Sequence, residues 1–305
     1  MFDNLRLPLM CAPMSFASSV PLAVACCRAG VLGGWQGGTV TPIDEFERYL
    51  DALAEIEGGA PPIVNLPARI ASEATGADKL DLLERHRVPL ILSSIGDPSL
   101  LVDRVHGWGG KVIHDVTTMR HAEKALAAGA DGLMLTCAGA GGHTGFVTPF
   151  AFVPAIRRMF DGPLIVAGGI ADGHGIAAAL ALGADIACMG TRFIATPESG
   201  VVEGHRTMIP EAGIDEIVVS AAMNGVPANW MKPSIEMVGL DYAVLPQKRS
   251  PMPDGVTPWR DIWSAGQSVG LIDAVTPVAD LVEQLASEFE AAEARGDWRG
   301  RLERL

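Results

Sequence analysis

The stretch Leu164-Ile165-Val166-Ala167-Gly168-Gly169-Ile170, followed by Ile186-Ala187-Cys188-Met189-Gly190-Thr191-Arg192, carries the reading of the fold. In each, a short apolar run without polar alternation stops at a glycine turn. A strand that is apolar on both faces belongs to a parallel sheet covered on both sides. Working outward, the same unit recurs at 9–12, 31–35, 63–66, 90–93, 111–114 and 132–136, which with 164–167 and 186–189 makes eight runs. Between them lie apolar residues at helical spacing, such as Met119, Ala122 and Leu126, or Leu80, Leu82 and Leu83. Strands alternating with helices pair in parallel, and eight such units predict a closed (β/α)8 TIM barrel. An open doubly wound sheet is the alternative, but the Gly-x-Gly-x-x-Gly turn it usually carries after its first strand is absent.

Helix starts are marked by Thr41-Pro42, Thr148-Pro149 and Thr276-Pro277. A threonine hydroxyl can cap orphan amides, and proline at the first helical position forfeits no hydrogen bond. Asp44, Glu45 and Asp280 then fall near positive helix ends. The βα rhythm covers residues 1–197 and breaks over 198–275, which reads as an insertion after the eighth strand that folds over the barrel mouth. Residues 276–305 complete the barrel with a helix from Pro277 to about Arg295. Its stripe is Val278, Leu281, Val282, Leu285 and Phe289. Trp230, Trp259 and Trp263 are expected to form the insertion's small core, with a pocket lining as the alternative.

Bulk properties narrow the classes of function. The chain has 305 residues, 49% of them hydrophobic and 19% charged, enough to bury a large core without disulfides or metal. Its 23 basic and 36 acidic residues leave a formal charge of −13, a field that repels nucleic acid and anionic lipid. The five cysteines have no metal-ligand spacing and read as small buried hydrophobes in a reducing compartment. No metal is expected. Near the N-terminus Asp3 stands where a signal peptide would be basic, and Pro8, Pro13 and Pro21 interrupt any apolar segment. The apolar stretch 176–184 is far short of a membrane span. The expected location is the cytoplasm.

The two glycine turns that end the seventh and eighth strands occupy the place where barrels commonly bind phosphate. Glycine lets main-chain N–H groups approach an anion, and a following helix start adds positive partial charge. Ala167, Gly168, Gly169, Met189, Gly190 and Thr191 are therefore candidate cofactor contacts, with Arg192 as a possible counter-charge. Tight turns without a ligand are the plainer alternative. After the sixth strand, Gly139-Ala140-Gly141-Gly142-His143-Thr144-Gly145 presents His143 on a loop with four glycines in seven residues. His86, His106, His121 and His205 read as merely exposed, and His114 and His174 as intermediate. Ala12, Pro13 and Met14 end the first strand, and Asn65 ends the third. Lys111 opens the fifth and is counted with the cofactor contacts, although barrel polarity puts a strand's first residue at the bottom.

Taken together, residues 12–14, 64–66, 140–145, 167–173 and 189–193 resemble the nitronate monooxygenase family, formerly called 2-nitropropane dioxygenases. A late Gly266-Gln267-x-x-Gly270-Leu271-Ile272 resembles that family's closing segment. The likeness implies an FMN-dependent oxidoreductase, with His143 in the active site and the phosphate on Gly168, Gly169, Gly190 and Thr191. Gly142 and Gln267 join the cofactor set on the same ground. It further implies oxidation of an alkyl nitronate with O2 to a carbonyl compound and nitrite. The alternative is an NAD(P)H-dependent flavin reductase for a quinone, enoyl thioester or CoA-linked substrate.

A protonated His143 about 4 Å from an anion would stabilise it by up to ~4 kcal/mol at an effective dielectric near 20. A neutral His143 could instead take a proton from a nitroalkane. Both roles stay open. The chain departs from the family pattern at 136–143 and at Ser93-Ser94-Ile95-Gly96, where substrate should sit.

Overall fold

A computed structural model describes residues 2–38, 42–73 and 76–293. Among these, eight parallel strands close into a barrel: β1 (Leu9–Cys11), β2 (Leu32–Gln36), β3 (Pro62–Pro67), β4 (Leu90–Ser94), β5 (Lys111–Val116), β6 (Gly132–Thr136), β8 (Leu164–Ala167) and β9 (Ile186–Met189). β9 returns to β1 in the register Leu9↔Ala187, Met10↔Cys188, Cys11↔Met189. Strand β7 (Gly142–His143) lies outside the barrel, in a second sheet.

Side chains alternate along each barrel strand, as a period of two requires. Met10, Ile63, Ile113, Met134, Ile165 and Cys188 fill the interior. Their neighbours Leu9, Cys11, Leu133, Leu135, Val166 and Met189 face the surrounding helices. The first two strands approach closely because β2 is glycine-rich: a Cβ on Gly34 would sit 2.2 Å from the Cys11 carbonyl oxygen.

The ring of helices comprises α1 (Val20–Arg28), α2 (Ile43–Ala54), α3 (Ala77–Arg85), α4 (Ser99–Gly107), α5 (Met119–Ala127), α6 (Pro149–Arg157) and α7 (Gly173–Leu182). After the short α8 (Thr191–Ile194) and the insertion, α11 (Val278–Glu293) closes the ring between α7 and α1. Side-chain caps come from Ser19, Thr118 and Asp172, which accept from the amides of Leu22, His121 and Gly175.

The Thr-Pro reading needs correction in its chemistry. Pro149 does occupy the first turn of α6, but the Thr148 hydroxyl makes no cap bond. For α11 the Val278 amide donates instead to Glu198 Oε1, at 3.1 Å, so a carboxylate from across the chain serves that end. Thr41 and Arg295 lie outside the described residues. On α11, Val278, Leu281, Val282 and Leu285 are fully buried, and Phe289 packs against the same cluster.

Within 198–275 lie α9 (Glu203–Glu211), β10 (Ile217–Ser220), β11 (Ala228–Met231) and α10 (Lys232–Met237). β10 and β11 form an antiparallel hairpin. β11 also pairs with β7, through Ala228↔His143 and Asn229↔Gly142. The glycine loop after β6 thus becomes the third strand of the insertion's sheet. Trp230 sits in a small core with Met223, Ile235 and Ile262, whereas Trp263 joins a separate cluster with Ile209 and Val269.

Candidate active site

The carboxyl ends of the barrel strands open into a cavity of about 390 Å³, within the ~300–1,000 Å³ typical of small-molecule sites. Its floor is the top of the barrel interior, where Leu92, Met134, Ala167 and Cys188 face inward. Ala12, Pro13 and Met14 follow β1 and form one wall. Asn65 adds a buried amide there. Its Nδ2 donates to the Leu92 carbonyl at 3.0 Å, leaving Oδ1 as an acceptor.

Gly168 and Gly169 follow β8 with φ of 138° and 75°, a region open to glycine and strained for other residues. A Cβ on Gly169 would meet no atom within 4 Å. This glycine lines the cavity, so a side chain there would project into free space that a ligand needs. Gly190 and Thr191 lie alongside, at the end of β9. The Gly266 amide donates to Thr191 Oγ1 at 2.8 Å; a hydroxyl that accepts one bond still has its own proton to donate.

Adjoining these turns is the loop 139–145, which leaves the neighbouring strand β6 and is clamped from the insertion; a Cβ on Gly141 would sit 3.3 Å from Thr191 Oγ1. Gln267 N donates to Gly139 O at 3.0 Å, and Gly142 N to Ser264 Oγ at 2.7 Å. Asn229 Nδ2 donates to Ala140 O at 2.6 Å. This clamp holds the His143 ring on the cavity wall. His143 Nε2 lies 2.9 Å from Asn224 Nδ2, and the ring meets Trp259 edge-on with centroids 5.4 Å apart. Partial removal from water on that side lowers the imidazole pKa.

The structure therefore brings Ala12, Pro13, Met14, Asn65, Gly142, His143, Ala167, Gly168, Gly169, Gly190 and Thr191 to one cavity. Other expectations need correction. Lys111 is at the bottom of the barrel, exposed, with Nζ 2.8 Å from Asp131 Oδ1; parallel strands run from bottom to top, and Lys111 begins one. Met189 keeps only its main chain near the site, because Cys188 takes the inward position. Gln267, exposed overall, donates its main-chain amide to Gly139 and lays its side-chain amide against the same glycine, where a Cβ would meet Gln267 Oε1 at 3.0 Å; its neighbour Ser268 lines the cavity.

Arg192, one helical step of about 100° past Thr191, turns away from the cavity. It is buried against Ala274 O and Gln284 Oε1, both at 3.3 Å. His205 is likewise buried rather than exposed, stacked on Trp263 at 5.3 Å with Nε2 against the Ser264 carbonyl. Burial pushes its pKa down to about 4.

Two residues escaped the sequence reading. Asp115 lines the cavity, accepts from Thr136 Oγ1 at 2.6 Å, and has its pKa pushed up to about 6 by burial. A signal existed: Asp115 stands two residues beyond the inward-facing Ile113, so it shares that face. The apolar run stops at 114, whereas the strand continues through Asp115 to Val116. Asn224 carried no local signal, since only folding brings it to His143. Among the described residues, no helix is long and apolar enough to cross a membrane.

Comparison with known proteins agrees with this fold. The nitronate monooxygenase family profile matches residues 59–288. A nitronate monooxygenase of Paraburkholderia phytofirmans is 28% identical, with 93% of this chain and 92% of that protein covered. A 5-hydroxy-7a-methyl-1-oxo-octahydro-1H-indene-4-carboxyl-CoA dehydrogenase of Mycobacterium tuberculosis is 31% identical over 72% of this chain. The chain spans only 61% of that relative's length. Among solved structures, FabK from Thermotoga maritima superposes with a TM-score of 0.81 at 30% identity, covering 98% of this chain and 97% of that one. A nitroalkane oxidase from Streptomyces ansochromogenes gives 0.80 at 26% identity, with 96% and 98% covered. With the profile spanning most of its length and the glycine turns and His143 gathered at the strand ends, the chain belongs to the nitronate monooxygenase family.

Proposed function

We propose that this chain is a flavin-dependent oxidoreductase that holds FMN at the strand ends and oxidises alkyl nitronates with O2. The observation that carries the reading is the meeting of two glycine-rich segments at one cavity: bare main chain and a hydroxyl at Gly168, Gly169, Gly190 and Thr191, and His143 on the adjoining loop. Gly168, Gly169, Gly190 and Thr191 would take the phosphate with neutral donors, since Arg192 is engaged elsewhere. Asn65 Oδ1 offers an acceptor to the polar edge of a heterocycle, and Met14 and Met134 offer apolar contact. The bound flavin supplies the electron-transfer chemistry. Overall, two nitronates and one O2 would give two carbonyl compounds and two nitrites, so no external reductant is consumed.

The test uses the purified protein with its flavin. Released cofactor should chromatograph as FMN. Mixed anaerobically, propyl-2-nitronate should bleach the flavin, and in air it should yield nitrite. NADH in a second cuvette reads the alternative: bleaching by NADH with no nitronate oxidation in air would overturn the proposal in favour of a reductase. Colourless protein that does not take up FMN would overturn both.

A further inference from the structure

The contact between His143 and Asn224 settles a question that the imidazole alone leaves open. Asn224 Oδ1 accepts from the Val226 amide at 3.0 Å. A main-chain N–H can only donate, so the amide oxygen must face Val226 and the amide nitrogen must face His143. That nitrogen can only donate as well. His143 Nε2, at 2.9 Å, is therefore the acceptor, its lone pair is occupied, and the ring proton resides on Nδ1. Nδ1 has no hydrogen-bond partner among the described residues, while the ring lines the cavity.

We propose that Asn224 is a positioning residue that locks His143 as the neutral Nδ1–H tautomer, so that the ring serves as a hydrogen-bond donor to an anionic ligand rather than as a base or a cation. The anionic ligand rests on the functional reading above; the tautomer does not. For His143 to act as a base at Nδ1, its proton would have to move to Nε2, where it would point at an amide that also points hydrogen. Protonation of the whole ring meets the same clash. Turning the amide over would only exchange it for one between the Asn224 nitrogen and the Val226 N–H.

The electrostatic surroundings leave this device in control. Of the elements packed on His143, β11 carries no charged side chain, and beside Trp259 the charges of Arg260 and Asp261 pair with each other at 2.8 Å. In the 221–227 loop, Arg249 packs its stem on Gly225 without a bond to the ring or to the Asn224 amide. The other titratable groups lining the cavity are Arg69, Asp115, Cys188 and His205, none of which bonds to His143. Burial also disfavours the charged ring, in the same direction as the amide.

The test is nitrogen NMR of the 15N-histidine-labelled holoenzyme, with the His143 signals assigned by their loss in H143Q. Near neutral pH the wild type should show a protonated Nδ1 and a bare Nε2. In N224D one carboxylate oxygen still accepts from Val226, while the other faces Nε2 as an acceptor. The ring should then carry a proton on Nε2, and its pKa should rise by at least one unit. N224L, which removes the donor, should leave a mixture of tautomers.

With Nδ1 freed as a base, N224D should also gain at least tenfold on neutral nitroalkane relative to nitronate. A wild-type ring with Nε2–H, or charged at neutral pH, overturns the proposal; so does an N224D spectrum unchanged from wild type. The spectra need no substrate, so a failed nitronate assay would sink the functional reading without touching the tautomer.

Discussion

The two glycine-rich segments of the cavity, though they adjoin at neighbouring strand ends, are built on different principles. The turns at Gly168-Gly169 and at Gly190 are continuations of barrel strands, held by neighbours in the same parallel sheet. The loop 139–145 also leaves a barrel strand, yet its shape comes from the insertion: β11 pairs with it, and Ser264, Asn229 and Gln267 tie down its main chain. The first wall is rigid by inheritance from the fold. The second is assembled by contacts spanning roughly a hundred residues of sequence, and such non-local contacts form only after their chain-closure entropy is met. The two meet at Thr191, whose hydroxyl accepts from Gly266 of the insertion.

The sharpest way to separate the walls is H143N. It should leave FMN affinity within about twofold while turnover with nitronate falls by roughly 100- to 1,000-fold, the usual cost of losing one donor at a reacting anion. Steady-state rates and flavin titration read the two quantities. Wild-type turnover would mean that the ring does not touch the chemistry.

The converse is G169V. A β-branched residue at φ 75° is strained, and its side chain would enter the cavity. FMN affinity should fall by about 100-fold, the equivalent of ~3 kcal/mol. The His143 nitrogen spectrum of the apoprotein should not change. An unaffected affinity would place the phosphate elsewhere.

The smallest effect concerns pH, and the two sides of the site should respond with opposite signs. His205, under the insertion, has a folded pKa of about 4, below its ordinary value of 6.5. Its contribution is present above 6.5 and is lost as pH falls through 4, because the unfolded chain binds the proton more readily. Asp115, on the barrel floor, has a folded pKa of about 6, above its ordinary 3.8. Its contribution is present below 3.8 and is lost as pH rises through 6. D115N should therefore raise Tm by roughly 2–5 °C at pH 7.5 and by little at pH 4. H205Q should flatten the acid limb instead. Equal shifts at both pH values in D115N would show that the carboxyl does not titrate as its burial requires.

Much of the barrel was legible because its signals are local. Each of the eight apolar runs became a strand, since a run buried on both faces has few ways to satisfy its main chain except in a covered parallel sheet. The glycine turns after 167 and 189 were legible for the same reason. Lys111 was a failure of polarity rather than of chemistry: a barrel strand presents only its last residues to the site, and Lys111 is a first residue. Met189 failed by one step of the strand's alternation, and Arg192 by one step of a helix.

By itself, then, the chain's order of apolar runs and glycines determined a (β/α)8 barrel, the end at which a ligand would enter, and His143 as the side chain to watch. Only the tertiary structure decided which residue stands behind that imidazole, which nitrogen carries its proton, and that a carboxyl lies on the cavity floor. The physical reason is range. Periodicity and turn chemistry act between residues a few positions apart. The hydrogen bond from Asn224 and the exclusion of water around Asp115 exist only once distant segments have packed.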